Sequence, residues 1–340
     1  MSVLLLIALF SSLRLVVAHI ALWHPSTWGF NVTTHDFNYD NRPVVPLMHR
    51  TFNNWWFHGY LNYPPHPEDV FELPVGQTVT AQLACDKSAT TYYGSSQSRG
   101  DIQDPKHPNN PCPGWPITQF HTHGLSDVKG CALAIAYKDD VSQVKPSDFT
   151  IFSVNQVCVW NRYTDFAVPA KMPPCPNNKC ICAWFWIHAS DAGTEQMYMI
   201  GFQYPENGKK DAVPGNCTYG AKQPLYWFQA EGNNMFEGTY SPPFYNDLYN
   251  FKEGAQNDIF QNSYASMPEP GPDQTALPVL ADAQSTTQST AKSTLECPGK
   301  RDTSAFSRRH ASAERRTFTH KPLAMRRMLD LEERSDLETF

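Results

Sequence analysis

The chain of 340 residues is long enough for one large or two small domains, and its formal charge of −6 argues against nucleic acid as a partner. Its 28 prolines favour a rigid, loop-rich domain. The longest apolar run lies in the first 18 residues, where Arg14 interrupts it. That run is shorter than the ~20 apolar residues of a membrane helix, so we expect no membrane partner.

The N-terminal segment predicts a signal peptide at residues 1–18 and therefore a secreted, extracellular protein. Val16 and Ala18 occupy the two positions at which signal peptidase requires small residues. Cleavage after Ala18 makes His19 the first residue of the mature chain. A first-residue histidine offers a free α-amine and an imidazole nitrogen, which together can close a chelate ring on a metal ion.

Four stretches show the two-residue period of β-strands. They cover residues 78–83, 149–154, 183–188 and 196–202, and clusters of proline and glycine separate them. No long segment with a helical period precedes residue 260. The pattern predicts an all-β fold, an immunoglobulin-like antiparallel β-sandwich with long loops.

The composition changes near Gln261. Residues 263–300 are rich in Ser, Thr, Pro and Ala, and charged residues follow, with a short helix possible at 323–331. Such a composition predicts a disordered C-terminal tail. The resulting division is a signal peptide at 1–18, a domain at 19–262 and a tail at 263–340.

Nine cysteines in a secreted chain predict disulfides. A zinc site is the competing interpretation of Cys175, Cys180 and Cys182. Oxidising export and the lack of a matching second cluster disfavour that site. Asn31 and Asn216 begin glycosylation sequons, whose occupancy the sequence leaves open.

Two histidines in the segment 119–124, His121 and His123, are further candidates for metal ligands. Imidazole nitrogen suits copper, and His19 can supply two of the nitrogens that a tetragonal copper site needs. In an extended segment His121 and His123 face the same side, so their spacing does not choose between them.

A third polar group is predicted on the last two strands. Gln196 and Tyr198 point to one face of a strand, while Met197 and Met199 point to the other. His188 ends the preceding strand-like run eight residues earlier, a distance suited to a hairpin, so it can lie beside Gln196. Ordinary edge-strand alternation is the alternative interpretation.

Long motifs in the chain resemble those of one enzyme family. They lie at residues 19–24, 41–47, 55–58, 127–131, 152–156, 168–173, 184–188, 195–199, 214–220 and 233–240. Together they resemble the fungal lytic polysaccharide monooxygenases of auxiliary activity family 14. The resemblance covers about residues 19–260 and not the tail.

The resemblance implies a histidine brace that binds one copper ion. The α-amine and ring nitrogen of His19 would be two ligands, and the family pattern His-Thr-x-Gly makes His121, rather than His123, the third. Tyr198 matches the axial tyrosine. His188 and Gln196 match a polar pair that orients the oxygen species by hydrogen bonds.

The activity implied is oxidative cleavage of glycosidic bonds in plant cell-wall polysaccharide, with xylan coating cellulose as the associated substrate. An external electron donor reduces the copper, and oxygen or hydrogen peroxide is the oxidant. The partners implied are therefore an insoluble polysaccharide and this donor, and we expect a monomer.

The chain departs from the family pattern after Phe202, where relatives carry extra residues and two cysteines. We predict disulfides 85–112, 131–158, 175–180 and 182–217, with Cys297 unpaired. Eight cysteines allow 105 pairings, so their spacing alone does not establish this set.

Two other function classes remain open at this stage. One is a non-catalytic secreted copper-binding protein, but residues 325–340 are charged and lack the hydrophobic tail of a C-terminal membrane anchor. The other is a structural or carbohydrate-binding wall protein without turnover. The full set of His19, His121, Gln196 and Tyr198 argues against a decayed site and favours an enzyme.

Overall fold

The computed structural model describes residues 19–30, 42–96, 100–116, 122–188, 196–205, 222–230, 244–249 and 251–260. The predicted signal peptide, both sequons, the tail and three individual predicted residues lie outside this part of the chain. Those three residues are His121, Cys217 and Cys297. No helix of the described part is long and apolar enough to span a membrane.

The described residues form two antiparallel sheets. The strands are β1 (Ala21–Trp23), β2 (Thr78–Ala84), β3 (Cys131–Ala136), β4 (Thr150–Asn155), β5 (Tyr163–Ala167), β6 (Lys179–Ile187), β7 (Met197–Pro205) and β8 (Gly254–Ala255). One sheet has the order β1-β2-β5 and the other β7-β6-β3-β4-β8. The predicted all-β sandwich is therefore confirmed, and the four predicted stretches lie in β2, β4, β6 and β7.

Helical structure is short and lies in the connections. The single α-helix of the described part, α1, covers Phe52–Trp55. The 3-10 helices are Arg42–Val44, Trp56–Gly59, Lys87–Ala89, Tyr93–Ser95, Leu125–Asp127, Val141–Gln143, Pro146–Asp148, Pro176–Asn178, Asp247–Tyr249 and Asn257–Phe260.

The core between the two sheets is rich in aromatic side chains. Trp184, Trp186 and Tyr198 extend from the five-stranded sheet towards Leu83 and Phe166 of the three-stranded sheet. All five are almost completely buried. Each such apolar side chain contributes about 1.5–3 kcal/mol by leaving water, so this layer holds β6 and β7 firmly against the smaller sheet.

The outer face of the five-stranded sheet is buried as well. A second cluster covers it, in which Trp55, Phe57 and Trp227 pack with Phe185 and other outward residues of the sheet. The Phe57 ring lies where a side chain at Gly201 of β7 would stand, since a Cβ there would be 2.1 Å from that ring. Glycine at this strand position therefore permits the close packing of the cover.

The antiparallel order brings several strand ends together at one end of the sandwich, which we call the His19 end. Here β1 begins beside the end of β2, with Ala21 opposite Ala84. At the same end β3 begins opposite Trp186 near the end of β6. The start of β7 pairs with the end of β6 in turn. Loops that leave these strand ends surround the N-terminal residue.

Three of the predicted disulfides are present: Cys85–Cys112, Cys131–Cys158 and Cys175–Cys180. The competing zinc interpretation is wrong, because two of its three cysteines are bonded to each other. Cys182 is buried and forms no disulfide within the described residues, which do not include its predicted partner. The first two bridges lie at the His19 end, since they begin at the residue after β2 and at the first residue of β3.

A half-buried histidine makes the fold sensitive to acid. His24 follows β1, lies against the rings of Phe71 and Tyr92, and accepts a hydrogen bond at Nδ1 from the Ser26 backbone N–H. Burial lowers the pKa of His24 to about 4. The unfolded chain therefore binds a proton below pH 6.5 that the folded chain refuses until about pH 4.

We expect this histidine to cost about 3 kcal/mol of folding stability as the pH falls from 6.5 to 4. The stability is present above pH 6.5 and is lost towards the folded pKa. Asparagine at this position keeps an acceptor for Ser26 but does not titrate. Denaturant unfolding of His24→Asn should show a smaller loss between these pH values than unfolding of the unmodified chain. Equal losses would contradict the assignment.

Candidate metal centre

His19 lies at the start of β1, where the pairing of β1 with β2 holds the chain. The next two residues, Ile20 and Ala21, are completely buried, and His19 itself is 7% exposed. Its Nδ1 atom lies 2.7 Å from the hydroxyl oxygen of Tyr198. The contact joins the first residue of the predicted mature chain to a residue 179 positions later.

Tyr198 is held by its strand and by the ring beneath it. As the second residue of β7 it faces the core between the sheets, while Met197 and Met199 face the outer cluster, as the alternation predicted. Its ring stacks on Trp186, with centroids 4.6 Å apart. Burial raises the pKa of Tyr198 well above its usual value, so the phenol stays neutral. Without a metal ion its O–H can donate a hydrogen bond to the lone pair of an unprotonated His19 Nδ1, the same lone pair that a metal ion would take.

His188 and Gln196 face each other across the β6–β7 hairpin. Ile187, the last residue of β6, pairs with Met197, the first residue of β7. His188 and Gln196 flank this pair and are therefore opposite each other, as predicted. His188 is buried, with its ring 6.1 Å from that of Trp186. The side-chain oxygen Oε1 of Gln196 is buried and has no hydrogen-bond partner within the described residues. Buried polar atoms are normally paired, so this oxygen marks a place for a further polar group.

The loop before β3 contains the two candidate histidines, His121 and His123. Only His123 lies within the described residues. Its side chain is 66% exposed, and Nδ1 lies 3.7 Å from Asp127. The loop is fixed from within, because Thr122 donates to the carbonyl of Gly124 and the His123 backbone N–H donates to Asp127. It leads to the first residue of β3 and therefore lies at the His19 end.

Sequence reasoning missed two supporting residues. Trp186 forms the surface under Tyr198, and the apolar run of β6 gave no sign that this side chain differed from its neighbours. Asp127 anchors the histidine loop; burial opposes its charge, but the His123 N–H, the Thr122 hydroxyl and Lys129 outweigh that effect and lower its pKa. The five-residue distance from Thr122 to Asp127, typical of a self-bonded loop, was the available signal.

Comparison with known proteins identifies the family. The model of the family described as lytic polysaccharide monooxygenase AA14 matches residues 1–204 and 203–335. The chain belongs to this family. The protein is therefore an oxidoreductase of the AA14 monooxygenases. The match continues past residue 260, where the resemblance was expected to end, and its two segments meet just after Phe202, where the chain was expected to depart from its relatives.

Individual relatives agree with this assignment. An AA14 family lytic polysaccharide monooxygenase B of Trametes coccinea is 56% identical over 302 residues, which is 82% of this chain and 71% of the relative. A protein of the same name from Pycnoporus cinnabarinus is 57% identical over 295 residues, covering 80% of this chain and 78% of the relative. A third, from Talaromyces rugulosus, is 25% identical over 274 residues, covering 73% and 95%.

The described side chains fit the copper ion that an AA14 monooxygenase implies. The Nδ1 atom of His19 faces a neutral phenol oxygen rather than a cation, and nitrogen with weak oxygen donation suits copper. Gln196 adds a buried amide oxygen, Oε1, that has no hydrogen-bond partner within the described residues. The described ranges contain no group of three or more His, Cys, Asp and Glu side chains able to hold a metal, so they offer no competing site of that kind.

The hydroxyl of Tyr198 should tune this centre rather than hold it. Tyr198→Phe keeps the ring on Trp186 and removes only the hydrogen bond to His19, which is worth about 1 kcal/mol. Because copper would take the same Nδ1 lone pair, we expect copper affinity to change less than about tenfold, while the paramagnetic resonance spectrum and the rate of copper reoxidation change. An unchanged spectrum together with an unchanged reoxidation rate would place the hydroxyl away from the metal.

Proposed function

We propose that this AA14 monooxygenase is a secreted, copper-dependent enzyme whose single copper ion is bound by the His19 α-amine, His19 Nδ1 and a ring nitrogen of His121. The contact of 2.7 Å between His19 Nδ1 and the Tyr198 hydroxyl carries the proposal. It supports an arrangement in which the N-terminal imidazole and the phenol face the same point, where Nδ1 would exchange the tyrosine hydrogen bond for copper. The family assignment supports oxidative cleavage of polysaccharide as the reaction.

Bound copper would supply the one-electron chemistry, taking electrons from an external donor and activating oxygen or hydrogen peroxide to remove hydrogen from a carbon of the glycosidic bond. The protein's residues prepare the site for that chemistry. Tyr198 is held neutral by burial, and before copper binds its hydroxyl keeps the His19 ring in a fixed orientation. His188 and Gln196, opposite each other on the hairpin, hydrogen-bond the oxygen co-substrate and hold it in position.

The proposed substrate is insoluble plant polysaccharide, with xylan on cellulose as the preferred form. The proposed oligomeric state is a monomer. The test uses the mature chain beginning at His19, loaded with one equivalent of copper and supplied with a small-molecule reductant. Oxidised oligosaccharides should appear only with copper and reductant present. His188→Ala and Gln196→Ala should keep copper but release fewer products. Tight copper binding without any oxidised product would instead support the non-catalytic copper protein.

We also propose that the catalytic domain is residues 19–262 and that it folds without the tail. Ile259 lies in the core, and buried Lys222 donates to Gln256 and pairs with Asp258, so packing continues to the end of the described residues. Truncation after Gln261 should change the melting temperature by less than about 2 °C and leave product release intact. A larger loss of either would show that the tail docks on the domain or delivers substrate.

A further inference from the structure

Trp115 is an exposed aromatic side chain in a loop at the His19 end. Its side chain is 42% exposed, although tryptophan is usually well buried. We propose that Trp115 stacks on a sugar ring of the polysaccharide and so positions the polymer beside the metal centre. This inference rests on the proposed function and names a residue that binds its substrate.

The turn that carries Trp115 is rigid. Its backbone N–H donates to the Cys112 carbonyl at 3.1 Å, across Pro113 and Gly114. Gly114 has φ +81°, which with proline before it is the pattern of a type II turn. A Cβ at Gly114 would meet no atom within 4 Å, so the tip of the turn faces open space. Such a turn presents its side chain to a ligand with little further loss of conformational entropy.

A disulfide fixes the turn to the end of the sandwich that holds the metal centre. Cys112 is bonded to Cys85, with Cα atoms 5.4 Å apart, and the Cys85 N–H donates to the carbonyl of Pro111. Cys85 directly follows β2, whose last residue, Ala84, pairs with Ala21. The turn is therefore held beside the start of β1. Trp115 also precedes the proposed ligand His121 by six residues, at most ~21 Å of extended chain.

Other exposed apolar side chains occur at the same end. Leu125 lies between the histidine loop and β3, and Val157 lies between β4 and β5, next to the Cys131–Cys158 bridge. Both are large apolar residues left in water. With Trp115 they place three exposed apolar side chains at the end of the sandwich that carries His19. The proposed substrate is a polymer that must reach the N-terminal residue. The occupant of this surface is therefore the polysaccharide chain.

The chemistry of the indole suits this occupant. The ring is flat, largely apolar and carries one polar N–H, so it can cover the C–H face of a sugar while leaving the hydroxyl groups in water. The formal charge of −6 gives no attraction to a polyanion, which agrees with a neutral glycan. Stacking on one flank of the metal centre also fixes which bond of the polymer lies over it.

The test measures binding without turnover. Copper-free mature protein is incubated with xylan adsorbed on cellulose and, separately, with cellulose alone, and the bound fraction is measured over a range of polymer concentrations. Trp115→Ala should weaken binding to at least one polymer about tenfold, since truncating an exposed aromatic anchor costs more than 1 kcal/mol. Trp115→Phe should restore part of the affinity. Tyr63→Ala is the matched control, because Tyr63 is a more exposed aromatic residue (53%) in another part of the fold. The Tyr63 carbonyl accepts a hydrogen bond from the backbone N–H of Gly29, beside the edge strand β7.

Melting temperature and copper affinity should be the same for all four proteins. Wild-type binding by Trp115→Ala, or an equal loss in Tyr63→Ala, would overturn the proposal. So would a dimer that dissociates in Trp115→Ala, because the surface would then be an interface between copies. Failure of the proposed function is distinguishable, since it would appear as absent oxidised products from a copper-loaded protein whose polymer binding still depends on Trp115.

Discussion

A mature chain with one extra residue before His19 is expected to lose at least about 100-fold in copper affinity, equivalent to ~2.8 kcal/mol. The extension converts the α-amine into an amide, which removes one donor and opens the terminal chelate ring. His19 Nδ1 keeps its contact with Tyr198, and the pairing of β1 with β2 is unaffected, so the fold should remain.

The sharpest form of this experiment uses an extension that a specific protease removes. Copper affinity is measured by isothermal titration before and after cleavage, with the melting temperature of the copper-free protein as a control for folding. Cleavage to a free His19 should restore tight binding at one copper per chain. If the extended protein binds copper as tightly as the cleaved one, the N-terminal brace is wrong.

His121→Ala is expected to weaken copper binding by about 100-fold, whereas His123→Ala should change it less than about threefold. The family pattern selects His121, and the structure shows where His123 lies. That side chain is largely exposed and its Nδ1 lies near Asp127, which already pairs with Lys129. Each variant removes one imidazole ring, and the two positions are two residues apart, so each variant is a control for the other.

The measurement is again copper affinity, with paramagnetic resonance to count nitrogen ligands. His121→Ala should lose one nitrogen from the spectrum, and His123→Ala should retain the full set. A loss of copper in His123→Ala with retention in His121→Ala would reverse the assignment. Because Thr122 and Asp127 fix the loop through their own hydrogen bonds, neither substitution should change the melting temperature substantially.

The period-two pattern was sufficient where a strand has one polar and one apolar neighbour layer. Thr78 and Thr80 of β2 are exposed while Leu83 is buried, and this strand was predicted from that contrast. β3 was not predicted, because Cys131–Ala136 is a continuous apolar run, which a segment of a buried helix can show as well.

The site was predictable in part from the same two-residue period. Alternation placed Gln196 and Tyr198 on one face, and hairpin length placed His188 opposite Gln196. The meeting of His19 with Tyr198 depends on two sheets packing face to face across 179 residues, which no local pattern encodes. The cleavage site pointed to His19 as a candidate ligand, and spacing alone left His121 and His123 as two choices, between which only the resemblance of long motifs decided.

Burial of the five-stranded sheet on both faces has a consequence for how this protein can diverge. A polar substitution in β6 would place an unpaired group in one core or the other, at a cost of about 1–3 kcal/mol, so nearly every position of that strand is closed to change. Exposed side chains in the loops at the His19 end carry no such restriction, apart from those that fix the loops, such as Asp127. The scaffold and the proposed polymer-facing surface are thus separate targets for selection: new substrate preferences can arise in residues near Trp115, Leu125 and Val157 while the two cores stay fixed.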